Sequence, residues 1–154
     1  MKRWAVRGVR TVGVTPPHAT RAGPGVPLVH TYLIIPMKTG SDLIAEAKTR
    51  IRQVTVAEVQ QALAGAAAPL VIDCREPQET NLGRIPGALV IPRGVLETKI
   101  EAVAPRDADI VLYCASGNRS ALAADTMQQM GYTRVASMAG GFGGWAAAGG
   151  AVES

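Results

Sequence analysis

Three short runs of apolar residues punctuate the chain: Leu70 to Asp73, rising out of Pro69, Ala88 to Ile91, and Ile110 to Tyr113. Runs of this length without polar alternation fit strands buried on both faces of a parallel sheet. Around them the period is helical. Ser41 reads as an N-cap ahead of Leu43, Ile44, Ala47, Lys48 and Ile51, and Thr55 with Glu58 forms a capping box ahead of Val59, Leu63 and a terminating Gly65. Two helices are therefore predicted before the first strand. Downstream, Ala121, Leu122, Ala124 and Met127 hold helical spacing over Ser120 to Met130, Gly131 stops that helix, Arg134 to Met138 reads as a strand, and a last helical stretch runs through Trp145. Strands alternating with helices predict an α/β fold, a three-layer α/β/α sandwich with a central parallel sheet.

The pattern fails before Met37. Pro16, Pro17, Pro24, Pro27 and Pro36, with Gly8, Gly13, Gly23 and Gly25, break every period, so 1–36 is expected to be a disordered N-terminal extension, with Met37 as an alternative start and 37–154 as the single folded domain. A chain of 154 residues that is 47% hydrophobic supports one core without metals or disulfides. The net charge of +4 changes little, because Lys2, Arg3, Arg7, Arg10 and Arg21 all precede Met37 and no acid does. From Met37 onward basic and acidic residues nearly cancel, which excludes a nucleic-acid partner for the body. The longest apolar candidate, Val26 to Ile35, is broken by Pro27 and His30 and excludes a membrane span. Two cysteines, Cys74 and Cys114, cannot frame a disulfide scaffold, and without a secretory signal a cytoplasmic, reducing location is expected. The only histidines, His18 and His30, lie in the extension, leaving no base for thiol-protease chemistry, no zinc site and no implied cofactor.

The candidate chemistry sits at Cys114. It ends the strand Ile110 to Tyr113 and precedes a helix, the sheet edge at which ligands bind in open parallel folds. Ala115, Ser116, Gly117, Asn118, Arg119 and Ser120 are small or flexible enough for successive N–H groups to curl toward one point, and the helix start adds its positive end. Such a nest favours a thiolate and primes Cys114 as a nucleophile. The reading requires a sulfur open to solvent with those amides turned onto it.

Cys114-Ala115-Ser116-Gly117-Asn118-Arg119-Ser120 resembles the active-site loop of single-domain rhodanese-like proteins. Val71-Ile72-Asp73-Cys74-Arg75-Glu76-Pro77 with Glu79 is similar to that family's first landmark, Gly83-Arg84-Ile85-Pro86-Gly87-Ala88 followed by Ile91-Pro92 to its second, and Met138-Ala139-Gly140-Gly141 with Trp145 to its closing motif. The resemblance spans nearly all of 50–150. It implies a rhodanese fold and a sulfurtransferase in which Cys114 takes sulfane sulfur from thiosulfate, polysulfide or a protein persulfide and passes it to cyanide or a thiol. Implied partners are small sulfur-containing anions and thiols, or a persulfide-bearing protein. The Ala115 to Ser120 loop is expected to cradle the anion, with Arg119 as donor contact or brace.

Asp73 with Arg75 reads as a charged pair bracing the loop, since a carboxylate beside an anionic donor would repel it, and Glu79 is a candidate partner for Arg75 or Arg119. Two positions depart from the family pattern. Arg84 stands where members usually carry His. Cys74 stands where a small or apolar residue is commoner, and reads as a buried filler or as a thiol that resolves the persulfide. Gly140, Gly141, Gly143 and Gly144 lack the Lys-Ser/Thr or the spacing of a phosphate loop, and fit tight packing of the last helix under the Cys114 loop. Asn118-Arg119-Ser120 matches a glycosylation acceptor, which has no meaning in a cytoplasmic protein. The rival activity is a cysteine phosphatase or arsenate reductase, whose loop is one residue longer between Cys and Arg and commonly follows His, where this chain has Tyr113. A persulfide-binding module without turnover is the other alternative.

Overall fold

The computed structural model describes residues 37–154, so the expectation for 1–36 falls outside the described residues. Five strands, β1 Arg52–Val54, β2 Leu70–Asp73, β3 Leu89–Val90, β4 Ile110–Tyr113 and β5 Val135–Met138, form one sheet in the order β1-β5-β4-β2-β3. All four pairings are parallel. Each face of the sheet has its own core. In β4, Ile110 and Leu112 join Ile72, Leu96, Ile100, Ala124 and Met127 on one face, and Val111 and Tyr113 join Val54, Val59, Val71, Ile85 and Trp145 on the other. That period of two, apolar on both sides, is why β4 reads as a continuous apolar run. Helices α1 Gly40–Arg50, α4 Leu96–Lys99 and α5 Asn118–Gln129 lie over the first face, and α2 Val56–Leu63 and α6 Gly141–Ala147 over the second. A single turn, α3 Pro77–Thr80, follows β2. The expected three-layer α/β/α sandwich is the fold observed.

The differences from expectation are local. The first helix is capped by Thr39, not Ser41. Thr39 Oγ1 accepts from the Asp42 N–H, and the Asp42 carboxylate accepts from the Thr39 N–H, a capping box in which Asp replaces the usual Glu or Gln. The capping box of Thr55 and Glu58 opens α2 as expected. The run Ala88 to Ile91 is not a strand buried on both faces: only Leu89 and Val90 pair with β2, at the sheet edge, and Leu89 is 37% exposed. Strand β1 was not expected. Its residues Arg52, Gln53 and Val54 are too few and too polar to show a pattern, and pairing with β5 decides their conformation.

Candidate active site

Strand β4 ends at Tyr113 and α5 begins at Asn118, so Cys114 to Gly117 must turn the chain within four residues. Gly117 makes the turn as the N-cap of α5, at φ +94°, where a Cβ would lie 3.2 Å from the Met138 carbonyl. The start of α6 then fixes the peptide planes. Phe142 N–H donates to the Cys114 carbonyl at 2.7 Å and Gly143 N–H to the Ala115 carbonyl at 3.0 Å. A trans peptide sets its N–H opposite its C=O, so a carbonyl drawn out to α6 turns the following amide inward. One amide reaches the sulfur: Gly117 N–H donates to Cys114 Sγ at 3.2 Å, and Ser120 Oγ lies 3.7 Å away while sharing a 2.8 Å hydrogen bond with Ser137 Oγ.

The glycine cluster follows from this packing. At Gly141, φ is +55° and a Cβ would fall 2.3 Å from the Cys114 carbonyl oxygen and 2.7 Å from the Ala115 carbonyl carbon. Backbone atoms cannot yield as a flexible side chain can. Gly141→Ala is therefore expected to push the loop off its amide geometry and cost on the order of 100-fold in rate, as misplacement of reacting groups by about 1 Å does. A Gly141→Ala protein within threefold of wild type in a kcat/KM measurement would contradict this.

Electrostatically the Cys114 thiol is held well below the ordinary thiol range, first by the Cys74 thiol and then by the Ser116 and Ser120 amides, against a burial that opposes it. One expectation fails. The sulfur is not open to solvent: Cys114 is 1% exposed, on the floor of a loop whose exposed rim is Ala115, Ser116 and Asn118. The donors that hold the sulfur also draw it down beneath that rim.

Arg119 does not point at the sulfur. Its Nη1 and Nη2 engage the Glu79 carboxylate at 2.6 and 2.7 Å, and this pairing holds Glu79 down at about 2. It is a brace between the loop and α3. Behind it, Arg75 is held by both Asp73 carboxylate oxygens, by the Gly83 carbonyl at 2.7 Å, and by the Phe142 ring 4.0 Å from its guanidinium carbon. The structure thus links Asp73, Arg75, Glu79 and Arg119 into one group, with Arg75 Nη1 also 3.5 Å from the Glu79 carbonyl. Arg84 stands apart, paired with Glu153 at 2.7 Å and bridged to its backbone. Lys48 on α1, which no motif places here, donates to Asn118 Oδ1 at 2.8 Å and sets an ammonium at the loop's rim. A cleft lined by Arg52, Val59, Pro69 and Asp109 lies at the amino ends of β2 and β4, the opposite end of the sheet from Cys114. Among the described residues no group of acids, cysteines or histidines could hold a metal, and no helix is long and apolar enough to cross a membrane.

A model of the rhodanese-like domain family matches residues 55–148. The chain is 35% identical over 96 residues to a sulfurtransferase of Allochromatium vinosum, covering 62% of this chain and 89% of that protein. It spans 58% and 64% of the length of two further curated relatives. Among solved structures, a Rhodopseudomonas palustris protein of unknown function, described as a possible tyrosine phosphatase, is 37% identical with a TM-score of 0.68, covering 84% of this chain and all of that one. A rhodanese-related protein of Thermoplasma volcanium is 30% identical with a TM-score of 0.60, covering 66% and 97%.

Proposed function

Because the chain belongs to the rhodanese-like domain family, we propose that it is a sulfurtransferase working through a persulfide on Cys114. The observation that carries the reading is the Cys114 sulfur at the start of α5, met by the Gly117 amide at 3.2 Å and the Ser120 hydroxyl at 3.7 Å. The Cys114 thiolate attacks the outer, sulfane sulfur of a donor; the donor's bond to that sulfur breaks, and its electron pair leaves with the donor, as sulfite when the donor is thiosulfate. Charge then sits on the terminal sulfur of a Cys114 persulfide. A thiolate or cyanide attacks that sulfur, the S–S bond breaks, and the pair returns to Cys114. The same groups serve both anions, and neutral donors suffice for a singly charged sulfur. Cys114 is 1% exposed where the sequence reading required an open sulfur, so the proposed transfer further requires the Ala115 and Ser116 rim to part and admit the donor's sulfur end-on.

Phosphatase chemistry is less well served. A phosphate dianion calls for an arginine free to grip it, and here both terminal nitrogens of Arg119 are engaged by Glu79. The deciding experiment is the intact mass of the purified protein after thiosulfate or polysulfide, beside an aryl phosphate assay. Gain of one sulfur atom, reversed by cyanide, with no phosphate released supports the proposal. No sulfur gained, or turnover of the phosphate, defeats it.

The pH dependence follows from the sign of the Cys114 shift. An acid whose value is lowered by folding is ionised at every pH above that value, so sulfur loading should be flat from pH 6.5 to 9, roughly the span over which an ordinary thiol near 8.5 would ionise. Loading should fall only as pH drops into the acid range. A loading rate that climbs about tenfold per unit between pH 6.5 and 8 would mean an ordinary thiol at Cys114.

A further inference from the structure

Cys74 and Cys114 stand side by side. The parallel register pairs Asp73 with Tyr113, and each cysteine is the next residue beyond its strand. The ladder continues one step further, because Cys74 N–H donates to the Tyr113 carbonyl at 2.9 Å. Parallel neighbours in register project their side chains the same way about 5 Å apart, so the Cys74 and Cys114 side chains lie beside each other. Cys74 is fully buried, and its thiol donates to the Tyr113 carbonyl at 3.0 Å. Rotation about its Cβ–Sγ bond aims the thiol hydrogen at that carbonyl or at Cys114 Sγ.

We propose that Cys74 is a positioning residue for the sulfur-transfer reaction: its buried thiol donates to the Cys114 sulfur from below, steadying the negative charge that the Gly117 amide holds from above. The asymmetry between the two sulfurs says which one keeps the proton. Cys114 Sγ receives the Gly117 amide and lies near the Ser120 hydroxyl, while Cys74 Sγ faces the Tyr113 carbonyl, which can only accept. A proton shared between them belongs on Cys74. The directions of ionisation agree, with Cys74 pushed up and Cys114 pulled down, each chiefly by the other thiol.

The other charged groups facing the pair are already occupied. Arg119 on α5 is taken by Glu79, and Asp73 and Arg75 beyond β2 pair with each other. The Tyr113 hydroxyl accepts from the Ile85 amide. Arg93, whose N–H caps the Cys74 carbonyl at 3.1 Å, sends its guanidinium to Glu97 and Thr126. Strand β5 offers Ser137, and α6 opens on Gly141 and Phe142, which do not titrate.

The inference rests on Cys114 being the working sulfur, but its test needs no sulfur donor. Iodoacetamide alkylation of Cys114, followed by peptide mass across pH, reads the thiolate directly in wild type, Cys74→Ser, Cys74→Ala and Cys74→Val. Cys74→Ser keeps a hydroxyl donor and should hold the midpoint near wild type. Cys74→Ala and Cys74→Val remove the donor and should each raise it by about one pH unit or more, with Val guarding against collapse of the Ala protein. Midpoints unchanged in the apolar variants overturn the proposal. So does a Cys74–Cys114 disulfide formed with release of sulfide when loaded wild type stands without thiol, because Cys74 would then be a second nucleophile. Raised midpoints in a protein that never accepts sulfur would sink the sulfurtransferase reading and leave this inference standing.

Discussion

A Cys114→Ser protein is expected to fold as wild type does and to take up no sulfur. Serine preserves the acceptor for the Gly117 amide, 3.2 Å from the present sulfur, and occupies slightly less of a site that α5 and α6 build from backbone. The stability change should therefore stay within about 1.5 kcal/mol. The chemistry has no such tolerance. An alcohol ionises far above neutral pH, and without a histidine among the described residues nothing can take its proton. Attack on a sulfane sulfur should drop by at least about 1,000-fold, which corresponds to about 4 kcal/mol of barrier. Intact mass after thiosulfate reads the first step, and urea unfolding reads the fold. Sulfur still gained by Cys114→Ser would move the reaction to another residue, with Cys74 the first suspect.

What the sequence could reveal depended on how local each cause is. Strands β2 and β4 were legible because burial on both faces leaves an unbroken apolar run. The Ala88 to Ile91 run carries the same signature, yet only two of its residues pair, because edge position is a property of sheet order. The loop from Cys114 to Ser120 was legible as a turn that aims amides, since small residues between a strand and a helix have few other ways to reverse the chain. Its depth was not. The burial of Cys114 is set by α6, whose Phe142 and Gly143 amides take the loop's carbonyls from residues nearly 30 positions downstream. The direction of Arg119 was half legible: the sequence offers it as donor contact or brace with Glu79 as a candidate partner, and the position of α3 decides between them, because Glu79 claims both its terminal nitrogens. Lys48 reaches Asn118 because α1 packs on α5, a contact 70 residues apart with no motif to announce it.

This arrangement separates charge by task. Full charges are paired off with each other, Asp73 with Arg75 and Glu79 with Arg119, while the sulfur is met by the Gly117 amide and the Ser120 hydroxyl. A site built this way keeps nearly constant field as the sulfur passes from thiolate to persulfide, because backbone dipoles fixed by α6 need not reorganise.

The largest loss of stability is expected from Asp73→Ala. Asp73 is 0% exposed and Arg75 is 4% exposed, so the pair meets little solvent screening, and the Asp73 carboxylate takes the Arg75 backbone N–H at 2.9 Å besides the guanidinium. Removing one partner of such a buried pair leaves an uncompensated charge and costs about 3–5 kcal/mol. The damage spreads to the site, because the guanidinium held by Asp73 is the one that clasps the Gly83 carbonyl beyond the α3 turn carrying Glu79. Arg75→Met should lose less than Asp73→Ala, since it strands a carboxylate that Tyr113 adjoins. The double variant Asp73→Ala, Arg75→Met removes both charges together and should be more stable than the sum of the single losses by about 1–3 kcal/mol. Urea denaturation of all four proteins measures the cycle. A loss under about 1 kcal/mol for Asp73→Ala, or strict additivity in the double variant, would show that the pair is solvated in solution and that the support under the Cys114 loop comes from elsewhere.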